Sequence, residues 1–561
     1  MQRCGRKRNR ESAGRELGNP IAPIHSISDP TMTARSLMIL GTASHVGKSI
    51  VTTALGRILS DMGHRVTPFK AQNMSLNSAA TPDGCEIGRA QALQAEACRV
   101  TPRAEMNPIL IKPSSDTSSQ VMVLGRVWGQ VSAADYHLKR VEDFFPAVLE
   151  SYRKLAYDYD FVIMEGAGSP AEINLKAHDI VNLRMASAAA AVCLLVGDID
   201  RGGVFASLLG TLQLLEPEER TLIRGFVINK FRGDIGLLLP GIRMIEQRIA
   251  LPCLGVIPYL PDLGLDEEDG VAMEDRRTVS RCWLPHPAGI DSSRRPLHIG
   301  VVALPHLSNF TDFDVLAMEP SVALAFLQSP GEIDGADLII LPGSKQTIDD
   351  LDWLEKTGFA RVLRERCQAS TKFGLVGICG GMQMLGEWID DPTGAESAGE
   401  RRQRQGLGLL SLTTVLSSEK ITRRASGRLE VNRMFRQPMD TGIFRGYEIH
   451  LGETRIGGSR ILAQIEREGM DGVFPDGAVS ETGFVWGTYV HGLFDDDYFR
   501  HAFLHAARAA FGLSPPHELV PIAAQRESRL DRLAAHVRTS LDIEQITSWL
   551  GINANDKAVT H

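Results

Sequence analysis

Leu37-Met-Ile-Leu-Gly41-Thr42-Ala-Ser-His-Val-Gly47-Lys48-Ser49 is a short apolar run that breaks into a glycine-bounded turn and ends in Lys-Ser. Ile50–Leu59 behind it reads as a helix, so the stretch is strand, loop and helix in that order. Its glycines permit tight turns, and the loop N–H groups with the helix N-terminus make a cradle for an anion. Lys48 is placed to reach terminal phosphates and Ser49 to reach Mg²⁺. The loop is one residue longer than G-x-x-x-x-G-K-[ST]. ATP binding is therefore expected at Gly41, Thr42, Gly47, Lys48 and Ser49.

Further apolar runs follow at Phe161–Met164, Ala191–Val196 and Phe226–Ile228, each closing in a polar or glycine-rich turn. Strands spaced by helical stretches imply a parallel sheet with helices on both faces. Ligands of such sheets gather at the carboxyl ends of strands. Glu165 follows the first of these runs and suits Mg²⁺, so Ser49 and Glu165 form the expected metal pair. Asp198 and Asp200 follow the second. Asn229, with Asp234 nearby, follows the third and suits a purine base. Phe69-Lys70-Ala-Gln-Asn73 is a fourth polar turn. Lys70, Asn73, Ser75, Glu86 and Arg89 are candidates for contact with a second substrate.

The region from about Asp262 to Arg295 is acidic, then rich in Arg, Pro and Ser, and reads as a linker. A second α/β pattern begins at Leu297–Leu304 and continues with Leu338–Leu341 and Gly374–Ile378. Glu396–Gln405 reads as a charged, solvated loop. The expected organisation is a P-loop synthetase domain over 36–265, a linker over 266–296, a second α/β domain over 297–510 and a helical C-terminal tail over 511–561. Residues 1–35 carry Arg3, Arg6, Lys7, Arg8 and Arg10 but no apolar core of a secretory signal, and read as a disordered or spurious extension.

With 561 residues, the chain is too long for one compact core and suggests two to four domains of roughly 100–200 residues. A net charge of −8 argues against a nucleic-acid partner. No apolar run approaches the roughly 18–20 residues of a membrane span. The eight cysteines include no Cys-x-x-Cys pair, so neither a zinc site nor a disulfide framework is expected. That usage fits a reduced, cytoplasmic setting.

Gly377-Ile-Cys379-Gly380-Gly-Met-Gln383 puts a cysteine at a sharp strand-to-helix turn. A nucleophile elbow needs that geometry, because small neighbours tolerate the strain and expose the sulfur. The helix N-terminus favours thiolate. Gly380 N–H is positioned to face a developing oxyanion, and Gly343 in Leu341-Pro-Gly-Ser344 can supply a second donor. His491 in Thr488-Tyr-Val-His-Gly492 serves as base and then acid. Gln383 is a candidate for binding glutamine.

These two blocks together resemble a class I glutamine amidotransferase domain, which implies a flavodoxin-like doubly wound fold. The nine-residue loop resembles that of dethiobiotin synthetase, a second doubly wound domain. The two domains in this order are similar to the cobyric acid synthase family of cobalamin biosynthesis, over about residues 36–510. Further matching blocks are Phe69–Ser75, Glu86–Gln91, Asp198–Phe205, Asn229–Asp234, Ser308–Asp314, Pro342–Lys345 and Gly446–His450. The resemblance implies ATP, glutamine and adenosylcobyrinic acid a,c-diamide as substrates. It also implies Mg²⁺ with the ATP, no tightly bound cofactor, and amidation of the b, d, e and g side chains through an acyl phosphate. Two-fold amidation, as by cobyrinic acid a,c-diamide synthase, amidation of another carboxylate, and a P-loop ATPase switch with a non-catalytic second domain are the alternatives.

One departure stands out. Most class I glutaminase domains place a glutamate two residues after the histidine, whereas Gly492 and Leu493 follow His491 here. Without an acid to fix the tautomer and support the imidazolium, glutamine hydrolysis is expected to be slow until the synthetase site is filled. A chain starting at Met32 is expected to keep full activity. A fall in corrinoid amidation by that truncated chain would refute the reading of the extension.

Overall fold

The computed structural model describes residues 34–552, apart from 115–117, 133–135, 137–140, 262, 264–291, 370–371, 397–398 and 441. The extension up to residue 33 and linker residues 266–291 lie outside the described residues. The first sheet is built on β1 (Arg35–Gly41), which runs into α1 (Lys48–Asp61). It also contains β2 (Val66–Phe69), β3 (Phe161–Glu165), β4 (Val192–Asp198), β5 (Ile223–Phe231) and β6 (Cys253–Pro258). Their order is β6-β5-β4-β1-β3-β2, and every pairing is parallel. β1 reads as an unbroken apolar run because both of its faces are covered. Met38 and Leu40 enter one core with α2 (Val141–Asp158), while Leu37 and Ile39 enter the other with α1.

The second sheet begins with β7 (Leu297–Val302), β8 (Val322–Leu327), β9 (Leu338–Leu341) and β10 (Gly374–Ile378). It continues through β11 (Trp388–Asp391), β12 (Arg402–Gln405), β13 (Leu412–Leu429), β14 (Phe444–Ile456), β15 (Arg460–Arg467), β16 (Phe474–Val479) and β17 (Val485–Thr488). Its parallel part has the order β8-β7-β9-β10-β17, the flavodoxin-like 2-1-3-4-5 winding. Beyond β17 it becomes mostly antiparallel, through β16, β15 and β13, with β14 folded onto β13. The charged stretch expected to be a solvated loop is partly the edge strand β12, paired with β11. Asp391 accepts from the Ala395 and Glu396 amides and turns Glu396 inward.

The C-terminal segment is no loose tail. Helices α4 (Ile522–Ser540) and α5 (Ile543–Trp549) return to the first domain, and Leu530, Leu533, Ala534, Val537 and Ile546 complete the core that holds Leu37, Ile39 and Val51. Buried Arg57 of α1 pairs with Asp531 at 2.7 Å and with Glu527. Leu530→Ala and Leu533→Ala should each destabilise the first domain by about 2–5 kcal/mol, read as a lowered urea midpoint for ATP-domain unfolding. Midpoints equal to wild type would mean that the two helices are not part of that core.

Candidate active sites

The loop from Gly41 to Ser49 wraps across the carboxyl end of the first sheet. Gly47 has φ 99°, and a Cβ there would lie 2.1 Å from Asn229 Nδ2, so only glycine fits the turn that starts α1. No side chain caps α1, which leaves its first-turn amides to an anion. The Thr42 amide donates to Val196 O at 3.0 Å and so lies outside the cradle. Lys48 Nζ donates to Ala43 O at 3.0 Å and Gly168 O at 3.1 Å, folded over the loop.

Glu165, at the end of β3, is the centre of this site. It accepts from Ser49 Oγ at 2.8 Å, Lys70 Nζ at 3.0 Å and Gln94 Nε2 at 2.6 Å. The expected pair Ser49 and Glu165 is thus brought together, with Lys70 and Gln94 added. Asn229 braces the loop: its side-chain amide donates to Val46 O at 2.9 Å. Lys230 braces the same loop at His45 O and pairs with Asp198 at 2.8 Å. Asp234 caps the following helix through the Gly236 amide.

The substrate candidates separate. Asn73 is buried and bound to Gln91 at 2.9 Å, and Ser75 closes a turn with Asn77. Glu86 is fully buried between Lys112 and Lys420 and accepts from Ser78 Oγ at 2.6 Å. All three are engaged with neighbours inside the first domain or across the interface. Arg89 pairs with Asp495 and lines a cavity of about 940 Å³ between the domains, which no residue of the phosphate loop borders. Lys70 alone of the five stands at the phosphate loop.

In the second domain, β10 delivers Cys379 to the start of α3 (Gly380–Leu385). Cys379 has φ 52° and ψ −110°, a strained conformation that costs about 1–3 kcal/mol. Gly381 permits it, because a Cβ there would fall 2.0 Å from Leu341 O. Ser344 N lies 3.0 Å from where a Gly380 Cβ would be, whereas Gly343 is paired opposite Ser308. Ser344 N is thus the amide of that loop turned toward the elbow, a donor that the sequence reading assigned to Gly343. Gln383 is buried, lines the Cys379 cavity and is engaged with Thr347, Leu451 and Tyr489.

His491 stands beside this elbow, and its acid is present after all. Asp312, in the turn Phe310–Phe313 after β7, accepts from His491 Nδ1 at 2.6 Å and from the Gly492 amide at 3.0 Å. The expectation of a missing orienting carboxylate is corrected: the acid comes from 179 residues upstream. Asp312 lies inside the block Ser308–Asp314, the one signal that could have found it. Burial favours the neutral ring, but the Asp312 charge and hydrogen bond, with Cys379 adding, outweigh it and raise the His491 pKa to about 10. The other ring nitrogen, Nε2, is buried without a hydrogen-bond partner among the described residues, and the Cys379 thiol donates to Ile449 O at 3.6 Å. The constellation can hold a proton on His491 next to a nucleophilic sulfur, with two amides for an oxyanion.

The chain matches the CobQ/CobB/MinD/ParA nucleotide binding domain over residues 37–271 and the CobB/CobQ-like glutamine amidotransferase domain over 298–499. It is 44% identical to the cobyric acid synthase of Moorella thermoacetica over 520 residues, 92% of this chain and 98% of that protein. It is 46% identical to that of Pelotomaculum thermopropionicum over 526 residues, 92% and 97% of the two chains. Among solved structures, PurLQS from Thermotoga maritima aligns at TM-score 0.28 and 16% identity, over 39% of this chain and 97% of that one, too loosely to argue from.

Asp312→Asn should lower glutaminase kcat at least about 10²-fold by the tautomer argument. It should also change the pH profile. In the intact protein the imidazolium persists as pH rises toward 10, whereas without Asp312 activity should decline from near pH 6.5. The folded-state pKa is raised, so the pair's contribution to stability is complete below about 6.5 and fades as pH climbs through 10. An unchanged kcat and profile would remove Asp312 from the site.

Proposed function

The chain belongs to the cobyric acid synthase family, and from that membership we infer a two-site amidoligase that adds glutamine-derived ammonia to corrinoid carboxylates in cobalamin biosynthesis. The substrate is adenosylcobyrinic acid a,c-diamide, amidated at b, d, e and g with one ATP and one glutamine per step. The observation that carries this reading is the presence, in one chain, of the phosphate loop with its Ser49–Glu165 pair and the Cys379–His491–Asp312 constellation. The catalytic setting is taken to be cytoplasmic, and no helix among the described residues is long and apolar enough to cross a membrane.

At the glutaminase site, the Cys379 sulfur attacks the glutamine carboxamide carbon. The oxygen's negative charge is received by Gly380 N and Ser344 N. His491 gives its proton to the departing ammonia, then draws a proton from water as that water attacks the thioester and releases glutamate. Asp312 holds the ring through this exchange by fixing Nδ1–H.

At the synthetase site, the loop amides and Lys48 bind the phosphates of ATP. Ser49 and Glu165 offer oxygen donors within 2.8 Å of each other, the kind of ligand set Mg²⁺ takes alongside phosphate oxygens. Mg²⁺ carried with ATP supplies charge neutralisation on the transferring phosphoryl group. A corrinoid carboxylate displaces ADP from the γ-phosphorus and becomes an acyl phosphate. Ammonia then attacks the acyl carbon, and phosphate leaves. Lys70, tied to Glu165, places a second cation beside Lys48 for the charge that develops.

Incubation of the purified chain with ATP, glutamine and the diamide corrinoid should yield a product heavier by four amidations in mass spectrometry. Two would point to cobyrinic acid a,c-diamide synthase, and none to another carboxylate. Cys379→Ser should abolish the glutamine-driven reaction and leave the ammonium-driven one. Unimpaired glutamine use by that variant would reassign the second domain to binding alone.

A further inference from the structure

The cavity at Cys379 is more heavily charged than thiol attack on a carboxamide requires. Lys112, Lys345, Lys420 and Glu396 all line it, beside Ser344 and Thr347. Lys112 and Lys420 share Glu86. Lys345 donates to a neutral partner, Gln120 Oε1, at 2.7 Å. Glu396 accepts from neutral donors, Thr347 N at 2.6 Å and Thr347 Oγ at 3.1 Å. Three ammonium groups thus face two carboxylates. Lys345 and Glu396 attract each other across the cavity without an ion-pair contact between them.

Burial, then repulsion from Lys420 and Lys112, pushes the Lys345 pKa down to about 7. Burial likewise pushes Glu396 up to about 7, against the pull of Lys345. Both shifts describe a charge whose counterion is incomplete. A carboxylate placed at Lys345 and an ammonium placed at Glu396 would relieve both. Cys379 and His491 deal only with the carboxamide end of glutamine. The other end of that molecule carries one carboxylate and one ammonium on a single carbon.

We propose that Lys345, backed by Lys420, binds the α-carboxylate of glutamine, and that Glu396, held by Thr347, binds its α-ammonium. The rim therefore selects the free amino acid over other primary amides. This assignment rests on the reading of Cys379 as a glutaminase nucleophile. It gives a role to Lys345, the last residue of the block Pro342–Lys345, and to Glu396, which the sequence reading left in solvent. The cavity is only about 40 Å³, so the head group must displace the flexible ends of these side chains as it enters. Lys112 belongs to the first domain, so one wall of the head-group pocket is supplied by the synthetase half.

The test compares glutaminase kcat/KM for glutamine, for glutaramate, which lacks the α-amino group, and for 4-aminobutanamide, which lacks the α-carboxylate. In the full-length protein each analogue should be about tenfold to a hundredfold poorer than glutamine, the size of a hydrogen bond to a charged group. In Lys345→Met the penalty for losing the carboxylate should shrink to within about threefold, and Lys345→Arg should restore most of it. In Glu396→Gln the penalty for losing the amino group should shrink in the same way. Each comparison is a ratio within one preparation, so a partly misfolded variant does not distort it. If turnover is slow, protection of Cys379 from iodoacetamide by each compound yields the same ratios. Analogue penalties equal to wild type in both Lys345→Met and Glu396→Gln would overturn the proposal. A wild-type protein without Cys379-dependent glutamine hydrolysis would instead remove the glutaminase reading, and this one with it.

Discussion

Glu86 is the constraint on which the two halves of the molecule depend. It comes from the first domain, is fully buried, and lies between Lys112 of its own domain and Lys420 of the second. Burial alone would raise its pKa, but the two ammonium groups outweigh that and hold it well below the usual carboxylate range. Such a group adds little net stability compared with an apolar core of the same volume, since desolvation offsets most of the attraction. Deleting one partner, however, leaves a bare buried charge and costs about 3–5 kcal/mol. The arrangement therefore favours one register of the domains over near alternatives. Around it, Ser78 N donates to Asn309 Oδ1 at 3.0 Å, Phe310 N to Asn77 Oδ1 at 3.2 Å, and Gln346 Nε2 to Ser114 O at 3.2 Å. These bonds are directional, so a slip of the interface breaks several at once.

That register reaches the chemistry directly. Asn309 and Phe310, held by the first domain, lie three and two residues before Asp312, which orients His491. Lys112, held by Glu86, is a wall of the Cys379 cavity. The proposed constellation of Cys379, His491 and Asp312 thus lies within the second domain, yet its outer wall and the turn carrying Asp312 are held by the first.

What was legible in the sequence was what local spacing encodes. The run Leu37–Leu40 and the loop to Ser49 specify a strand, a turn and a helix start within one stretch of chain, and the structure keeps them with the helix begun two residues earlier, at Lys48. Cys379 was legible because a nucleophile elbow needs small neighbours at fixed offsets. Asp312 was not, because it meets His491 only through the winding of the sheet, 179 residues away. The partners of Glu86 and Asn73 were hidden for a related reason. A polar residue in a motif looks alike in sequence whether it greets a ligand or satisfies a buried neighbour, and here Gln91, Lys112 and Lys420 are those neighbours. The helices α4 and α5 showed their apolar spacing, but nothing local says that a C-terminal helix crosses back to cover Ile39 and Val51.

The electrostatics of the second site follow from these same distant contacts. Cys379 needs a positive surround at the moment negative charge builds on sulfur and then on oxygen. A histidine held protonated by Asp312 supplies a proton as well as charge, while the lysines supply charge that cannot be lost to the leaving group. Glu86 offsets the charge of Lys112 and Lys420, whereas Lys345, on the same cavity, donates to the neutral Gln120. An unshared cluster of three buried ammonium groups would repel itself and shed protons. Sharing one buried carboxylate between two of them offsets part of that repulsion, although burial and the two neighbouring lysines still push Lys345 down to about 7. The residue that bridges the two domains is therefore also the one that offsets the charge of two lysines lining the Cys379 cavity.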